Sequence, residues 1–433
     1  MNFIKDFISV GLSRGGVIIF SLAQSIIIAR WLGPELNGVI AALLVFPSLF
    51  MSLGSLGVSQ STAYFIGKGK FTEREIKTAV SQIWVFTSIL SIIICFMLIR
   101  YFSNSGENLT LVFLALAPIP FALFNTYNSG IFLGKNEIQK YNKINWLPPL
   151  FILAGTILLV IVIDFSITGA MGAMVIGPAI MSFLMLFKNK FINAFSTQID
   201  LKVIKALLSL GGVYAIALII INLNYKLDVI LIDKLSTSYQ TGIYSKGAGF
   251  IQYLWQIPML LSTIVFARSV TSKNSYNFSV KVCQLLRVSI SLIGLASIIL
   301  AFIAPFVITL LYGSAFIDSA SVLLYLIPGV LLLTVFKVLN MDLAGRGKPW
   351  ISLKAMAPAL LVNIICNFLW IPKFGANGAA LASTISYSVA AILFVIIYSR
   401  EVSMPIREIF NYKKSDFKFI EIMFHNVIIK LKN

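Results

Sequence analysis

Four basic residues, Arg14, Lys226, Lys246 and Lys337, stand inside long apolar runs of this 433-residue chain. A charge at the centre of a bilayer costs at least about 2.5 to 3.5 kcal/mol, so each needs a physical reason to be there. Helical spacing gives them polar companions. Arg14 shares a narrow face with Ser21 and Ser25; Asn222, Lys226 and Asp233 share another; Lys246, Tyr253 and Gln256 lie on one side of the next helix; Lys337 lies beside Asn340 and Met341. The chemistry such groups support is the binding of an anion. An arginine offers phosphate a planar fork of donors, lysines supply mobile point charges, and amide and phenol groups add hydrogen bonds. The neighbouring acids, Asp228 and Asp233, are too few to neutralise the cations, and a wet, cationic cavity would accommodate all four. Structural readings compete at three places. Lys246, about five residues or roughly 7 Å inside its helix, can snorkel to the interface. Lys226 can pair with Asp228 or Asp233, and the serines at 48, 52, 55 and 59 can be a stripe of small residues that lets helices pack closely.

Covalent catalysis has little to stand on. The only histidine is His425, close to the C-terminus, and no HExxH, GxSxG, P-loop or carboxylate-rich loop is present. The GKGK and GRGK turns are too short, and lack the preceding strand, to cradle phosphate, so their glycines read as turn residues. Cys95, Cys283 and Cys366 stand singly in apolar segments without metal-ligand spacing. A membrane polymerase or transferase would need a sizeable outer loop carrying catalytic groups, and none is visible. No cofactor is expected. A sodium gradient, a proton gradient or the membrane potential remain alternatives as the driving force.

Composition sets the elements that must position these residues. With 58% hydrophobic and 12% charged residues and a mean hydropathy of +0.92, the chain carries more apolar surface than a water-soluble domain can bury. Its net charge of +18 lies mainly in short loops, as the positive-inside rule places it, and gives no reason to invoke nucleic acid. Arg14 interrupts the first apolar run and no cleavage site follows, so that run reads as a retained helix rather than a signal peptide. About twelve stretches reach the roughly 20 apolar residues a span requires. They lie near 11–31, 37–65, 78–100, 109–133, 146–163, 168–187, 204–224, 241–266, 284–311, 319–344, 350–371 and 376–398. Basic residues crowd alternate loops, which puts both termini in the cytoplasm; Arg30, Arg100, Lys234 and Lys373 are exceptions on the outer side.

Internal echoes point to a duplication. ARWLGPELNGVIA from Ala29 and IDKLSTSYQTGIYS from Ile232 are the same junction, each ending a helix on a basic residue and opening the next around Gly38 or Gly242. GKNE at Gly134 matches GRGKP at Gly345, ITGAMGAMV matches ANGAALAST, and STAYFIGKGK more weakly matches STIVFARSVT. The expected fold is all-α, a polytopic membrane protein built as two pseudo-symmetric six-helix bundles, 1–200 and 201–400, joined by the loop Lys188–Lys205. Residues 401–433 read as a basic cytoplasmic tail whose FKFIEIMFHNVIIKL forms an amphipathic helix on the inner leaflet, and truncation after about residue 412 is expected to leave insertion intact and to reduce abundance or activity only in part.

The chain resembles the lipid-linked oligosaccharide flippases of the O-antigen and capsule type, often called Wzx, in the superfamily that includes the lipid II flippase and the multidrug and toxin extrusion transporters. ARWLGPELNGVIA, DVILIDKLSTSYQTGIYS, LLYGSAF, LAGRGKPW and IPKFGANGAALAS carry the resemblance, which covers residues 5 to 400. It implies two six-helix bundles forming a V around a cavity that moves undecaprenyl-pyrophosphate-linked repeat units across the bacterial inner membrane. It also implies surface polysaccharide synthesis, with a polysaccharide polymerase and a chain-length regulator as partners beside the glycan substrate and membrane lipids. Positions of cavity cations drift between members, so Arg14, Lys226, Lys246, Lys337, Asn222, Asn340 and Tyr253 are candidates from this chain alone. A cation-coupled multidrug exporter of the same architecture is the alternative; it would prefer an acidic or aromatic cavity.

Overall fold

The structure is a computed structural model that describes residues 3–135, 137–196, 198–255 and 275–417. Among them there is no strand; helix follows helix from end to end. The order is α1 (Phe3–Leu53), α2 (Val58–Lys68), α3 (Glu73–Phe102), α4 (Leu109–Leu116), α5 (Pro118–Gly134), α6 (Ile138–Asn145), α7 (Leu147–Thr156) and α8 (Ser166–Lys188). It continues with α9 (Leu201–Leu235), α10 (Ser238–Leu254), α11 (Ser275–Tyr312), α12 (Ser319–Gly345), α13 (Leu353–Glu401) and the single turn α14 (Ile406–Ile409).

Eight stretches of the described residues are long and apolar enough to cross a membrane. Two of these, Ser13–Lys68 and Pro349–Glu401, hold 56 and 53 residues, about 80 Å of helix against a core of about 30 Å. Each is therefore bent into two arms. The bends fall at Gly33 (φ 69°) and Gly375 (φ 54°), in the left-handed region that costs glycine least. α9 adds another long helix, and the expected span 241–266 runs beyond the described residues, as do Gln256 and the STIVFARSVT motif. The protein is thus an all-α, multi-pass membrane protein. Its lipid-facing stripes are legible: Phe86, Ile89, Ile93 and Met97 on α3, and Leu295, Ile298, Phe302 and Phe306 on α11, are large, apolar and exposed at helical spacing.

The second expected span is not one helix. Backbone at Leu56 (φ 44°) and Gly57 (φ 64°) breaks it between α1 and α2. The buried Tyr127 hydroxyl donates to the Gly54 carbonyl that the break exposes, and shares a 3.0 Å hydrogen bond with Thr87. Unwound backbone at membrane depth persists only where such partners satisfy it. The break corrects the serine stripe, because Ser59 no longer continues the face of Ser48 and Ser52. Ser59 pairs with Ser129 at 3.0 Å, while Ser48 and Ser55 bond to carbonyls in their own turns.

Contacts divide the chain into two compact units: Met1–Lys246 with Ile308–Ser319 and Ile371–Ala376, and Gly247–Val307 with Ala320–Trp370 and Asn377–Asn433. This grouping by contact differs from the division at residue 200, which rests on repeats; α9 and the start of α10 pack with the first unit. Among the described residues the first unit shows two apolar cores. One gathers Phe65, Ile76, Phe124, Ile131, Met185 and Phe191, and the other Ile28, Leu43, Phe46, Ile99, Leu111 and Met171.

Within that unit the two echoed junctions meet. A Cβ on Gly38 would overlap the Ser238 carbonyl oxygen, and a Cβ on Gly242 would overlap that of Pro34, so each copy presents its glycine to the residue four before the other copy's glycine. Gly38→Ala and Gly242→Ala should each lower thermal stability in detergent by an overpacking cost of about 1 to 3 kcal/mol. Gly172→Ala, whose Cβ would meet only Leu159 at 3.7 Å, should stay near wild type.

A second equivalence lies at the opposite helix ends. Lys77 on α3 and Arg287 on α11 stand at the same distance from the last residues of their helices, Phe102 and Tyr312, and both are buried. Lys77 donates to the carbonyl of Asn189, just past α8, and pairs with Glu73 at 2.5 Å. Arg287 donates to the carbonyls of Glu408 (3.4 Å) and Ile409 (3.0 Å), in the turn α14 that follows α13, and pairs with Asp416 at 2.7 Å. Gln82 and Gln284 add bonds to the same two segments. Residues 402–417 thus dock on their unit as the linker after α8 docks on its own. Truncation after residue 412 would remove Asp416 and with it the ion pair to Arg287. The amphipathic helix expected further on, and His425, lie outside the described residues.

Candidate functional site

The first unit holds four of the candidate residues. Arg14 projects half-buried from the first arm of α1, and Lys226 half-buried from α9. Among the described residues no carboxylate lies within ion-pair distance of either. The two acids expected to hold Lys226 are engaged elsewhere. Fully buried Asp228 accepts a hydrogen bond from the Tyr244 hydroxyl. Asp233 accepts from the Ser103 hydroxyl at 2.7 Å and the Asn104 amide at 3.0 Å. Helical geometry explains the separation: Asp228 is only two residues from Lys226 and so points to another face. Asn222, one turn before Lys226, donates to Ser52 Oγ at 3.2 Å and to the Leu218 carbonyl at 2.8 Å.

Lys246 is bonded to groups of its own unit. Its ammonium donates to Ser25 Oγ (3.1 Å) and the Ser25 carbonyl (3.3 Å) and lies 5.4 Å from the centroid of the Tyr312 ring. Ser25 belongs to the helical face that carries Arg14, so α1 aligns Arg14 with the acceptor of a second cation.

The second unit holds the other three. Lys337 sits over the Trp255 ring at 4.1 Å from its centroid, a cation–π geometry that offsets part of the cost of removing an ammonium from water. Trp255 in turn packs against Tyr387 with centroids 6.1 Å apart. Asn340, one turn after Lys337, is buried with its Oδ1 unpartnered among the described residues. Tyr253 is half-buried, its ring edge-on to Phe250 at 5.8 Å. Sequence reasoning did not anticipate Trp255 as the seat of Lys337, nor Ser52 as the partner of Asn222. Trp255 lies just past the end of α10 and Ser52 on α1, at separations no local pattern encodes.

The same unit contains a polar cluster of a different kind. Fully buried Asp342 accepts from Ser279 (2.7 Å), Tyr398 (2.7 Å) and Arg346 of the GRGK turn (2.9 Å). So many donors on one carboxylate make it a structural hub that ties the turn to α11 and α13. The cysteines behave as packing residues: Cys95 and Cys283 are buried and Cys366 half-buried, all free thiols. Among the described residues no cluster of three or more histidine, cysteine, aspartate or glutamate side chains is arranged to hold a metal. What the candidate residues offer is fixed positive charge and hydrogen-bond donors inside apolar helices.

A family profile described as "Polysaccharide biosynthesis protein" matches residues 3–270, more than half of the chain. Among curated proteins the chain is 33% identical over 109 residues to the capsular polysaccharide biosynthesis protein CapF of Staphylococcus aureus, a match covering 25% of this chain and 28% of that one. It is 28% identical over 95 residues to the probable low-salt glycan biosynthesis flippase Agl15 of Haloferax volcanii, covering 22% and 20%. The matched segments therefore span under a third of these relatives. Likeness to solved structures runs much further. The lipid II flippase MurJ in an inward closed conformation superposes with a TM-score of 0.75 at 18% identity, covering 99% of this chain and 97% of that one. An inward-facing multidrug resistance MATE transporter of the MOP superfamily gives 0.71 at 15% identity, covering 89% and 94%. At such identities these likenesses establish the fold.

Proposed function

The chain belongs to the polysaccharide biosynthesis protein family, and on that premise we propose that it is a flippase for a lipid-linked glycan. The observation that carries the reading is the pair Arg14 and Lys226, cations held within membrane helices with no carboxylate at ion-pair distance among the described residues. An unneutralised charge there is costly unless water or an anionic ligand compensates it. A lipid-linked glycan presents such an anion, its phosphate or pyrophosphate, which cannot cross about 30 Å of hydrocarbon unaided. In this reading Arg14, Lys226, Lys246 and Lys337 replace the hydration of the headgroup, Asn222, Asn340 and Tyr253 meet its polar groups, and the polyprenyl tail stays in lipid. No bond is made or broken. The two repeats, 1–200 and 201–400, give alternating access to the two sides, driven by an ion gradient or the membrane potential. Undecaprenyl pyrophosphate as carrier, a bacterial inner membrane with cytoplasmic termini, O-antigen or another surface polysaccharide as product, and a polymerase with its chain-length regulator as partners complete the proposal.

Deleting the gene should make lipid-linked repeat units accumulate on the inner leaflet and remove surface glycan, with both restored by the wild-type chain. Unchanged surface glycan would sink the reading. Orientation is tested separately. Single cysteines replacing the exposed Lys70, Lys140 and Lys348 should resist an impermeant thiol reagent in intact cells, whereas cysteines replacing the exposed Glu107 and Lys373 should react. Labelling of the first set would invert the topology.

A further inference from the structure

The end of α11 is gripped from two sides by cations whose acceptors among the described residues are neutral. Arg30, on the first arm of α1, donates from Nε to the Leu311 carbonyl (2.9 Å) and from Nη2 to the Leu310 carbonyl (2.5 Å). These belong to the last turn of a helix, where carbonyls lack intrahelical partners and the dipole favours positive charge. The adjoining Tyr312 is buried, and its ring carries the Lys246 ammonium at 5.4 Å. That ammonium is bonded to the hydroxyl and carbonyl of Ser25, about a turn and a half before Arg30 on the same helix. Past the turn, Tyr239 donates to Asp318 at 3.0 Å and Ser319 donates to the Ile243 carbonyl at 2.8 Å, so α10 holds the far side of the same segment.

We propose that Leu310–Tyr312 is an outer clamp sensitive to cargo: an anionic phosphate group that draws Lys246 away from Ser25 and Tyr312 loosens it, while Arg30 continues to cap the helix end. This rests on the flippase reading, in which Lys246 meets the headgroup, and on the orientation that places the α11–α12 turn outside. The chemistry sets the direction. Ser25 offers a hydroxyl and a carbonyl, and Tyr312 a ring face. An ionised phosphate oxygen adds to the hydrogen bond a full charge–charge attraction that these neutral acceptors lack, strengthened where water is excluded, so phosphate within reach wins Lys246. Arg30 has two bonds in a fixed fork and sits at the turn itself, which makes it the lasting part of the clamp and Lys246 the releasable part. Binding and opening are thereby linked through one side chain, and cargo shifts the population toward the open form by its preference for a freed Lys246.

Ser319 provides a reporter, because it is fully buried with its hydroxyl on α10. Full-length protein in nanodiscs would carry Ser319→Cys in a background with Cys95, Cys283 and Cys366 replaced by serine, with inorganic pyrophosphate as the probe anion and an impermeant maleimide as the label. Pyrophosphate should raise the labelling rate roughly fivefold, as expected for the loss of one ordinary hydrogen bond. Lys246→Met should label fast without pyrophosphate and ignore its addition. Lys246→Arg, which keeps charge and donors, should label slowly and respond. Arg30→Gln should label faster than the parent and still respond. The clamp is refuted if pyrophosphate fails to bind, if it binds without changing the rate, or if Lys246→Met behaves like Lys246→Arg. Binding without a rate change leaves the export reading intact. Normal surface glycan in the deletion strain, with pyrophosphate still exposing the reporter, removes the export reading and leaves the clamp.

Discussion

Asp416→Ala should destabilise the protein by about 3 to 5 kcal/mol, the usual cost of stripping one partner from a buried ion pair, and truncation after residue 412 should do at least as much. Arg287 and Asp416 are both buried, at 4% relative exposure each. Their pairing is bidentate, Nε to Oδ2 at 2.7 Å and Nη2 to Oδ1 at 3.0 Å. Without Asp416 the guanidinium keeps the Glu408 and Ile409 carbonyls but loses its only counter-charge among the described residues. Arg287→Met paired with Asp416→Leu should lie closer to wild type than Asp416→Ala, because removing both charges avoids an orphaned one. Thermal inactivation of the detergent-solubilised protein measures all of these. The same pair sets a pH dependence. Hydrogen bonding to Arg287 holds the Asp416 carboxyl below its ordinary value. A carboxyl depressed in the folded state stabilises fully above the unfolded value, near 3.9, and that contribution disappears as pH falls through the folded value. Stability should therefore drop in acid in the wild type with a step that Asp416→Asn lacks. A truncated chain as stable as the full one would show that the docking of residues 402–417 is incidental.

The other large effect belongs to transport. Arg14→Ala and Lys226→Ala should each lower surface glycan in a flippase-null strain about ten- to hundredfold at normal membrane abundance. A hydrogen bond to a charged group contributes about 1.5 to 3 kcal/mol, which converts to that range. Arg14→Lys should rescue only in part, since an ammonium cannot reproduce the planar fork. Lys337→Ala should also reduce export. It additionally removes a cation seated on Trp255, so its stability needs measuring beside its activity. Glutamate at Arg14 or Lys226 should be worse than alanine, because it repels the cargo as well as removing an attraction. Normal export from all the alanine variants, or glutamate tolerated as well as alanine, would make these charges structural and end the cationic-site reading.

The all-α membrane class was legible in composition and hydropathy. Hydropathy located the membrane helices because lipid leaves a backbone no partners except its own, and the bends at Gly33 and Gly375 fall in the gaps left between neighbouring spans. The echo of Gly38 and Gly242 was visible as a repeat; that the two glycines press against each other was not, because a repeat specifies similarity and says nothing of contact. The break at Gly54–Gly57 escaped notice inside an apolar run, since its stabilising hydroxyl comes from Tyr127 on α5.

The sequence by itself determined that this is an all-α membrane protein with basic residues standing inside its apolar runs, because composition and helical period are local properties that survive any arrangement of the helices. Tertiary structure alone decided which of those cations are committed. It seated Lys337 on Trp255, tied Lys246 to Ser25, turned Asp228 toward Tyr244 and Asp233 toward Ser103, and left Arg14 and Lys226 without a carboxylate among the described residues. The reason is geometric: a side chain's partner is set by which helix face meets which, and those meetings are fixed by packing between segments that in the chain lie far apart.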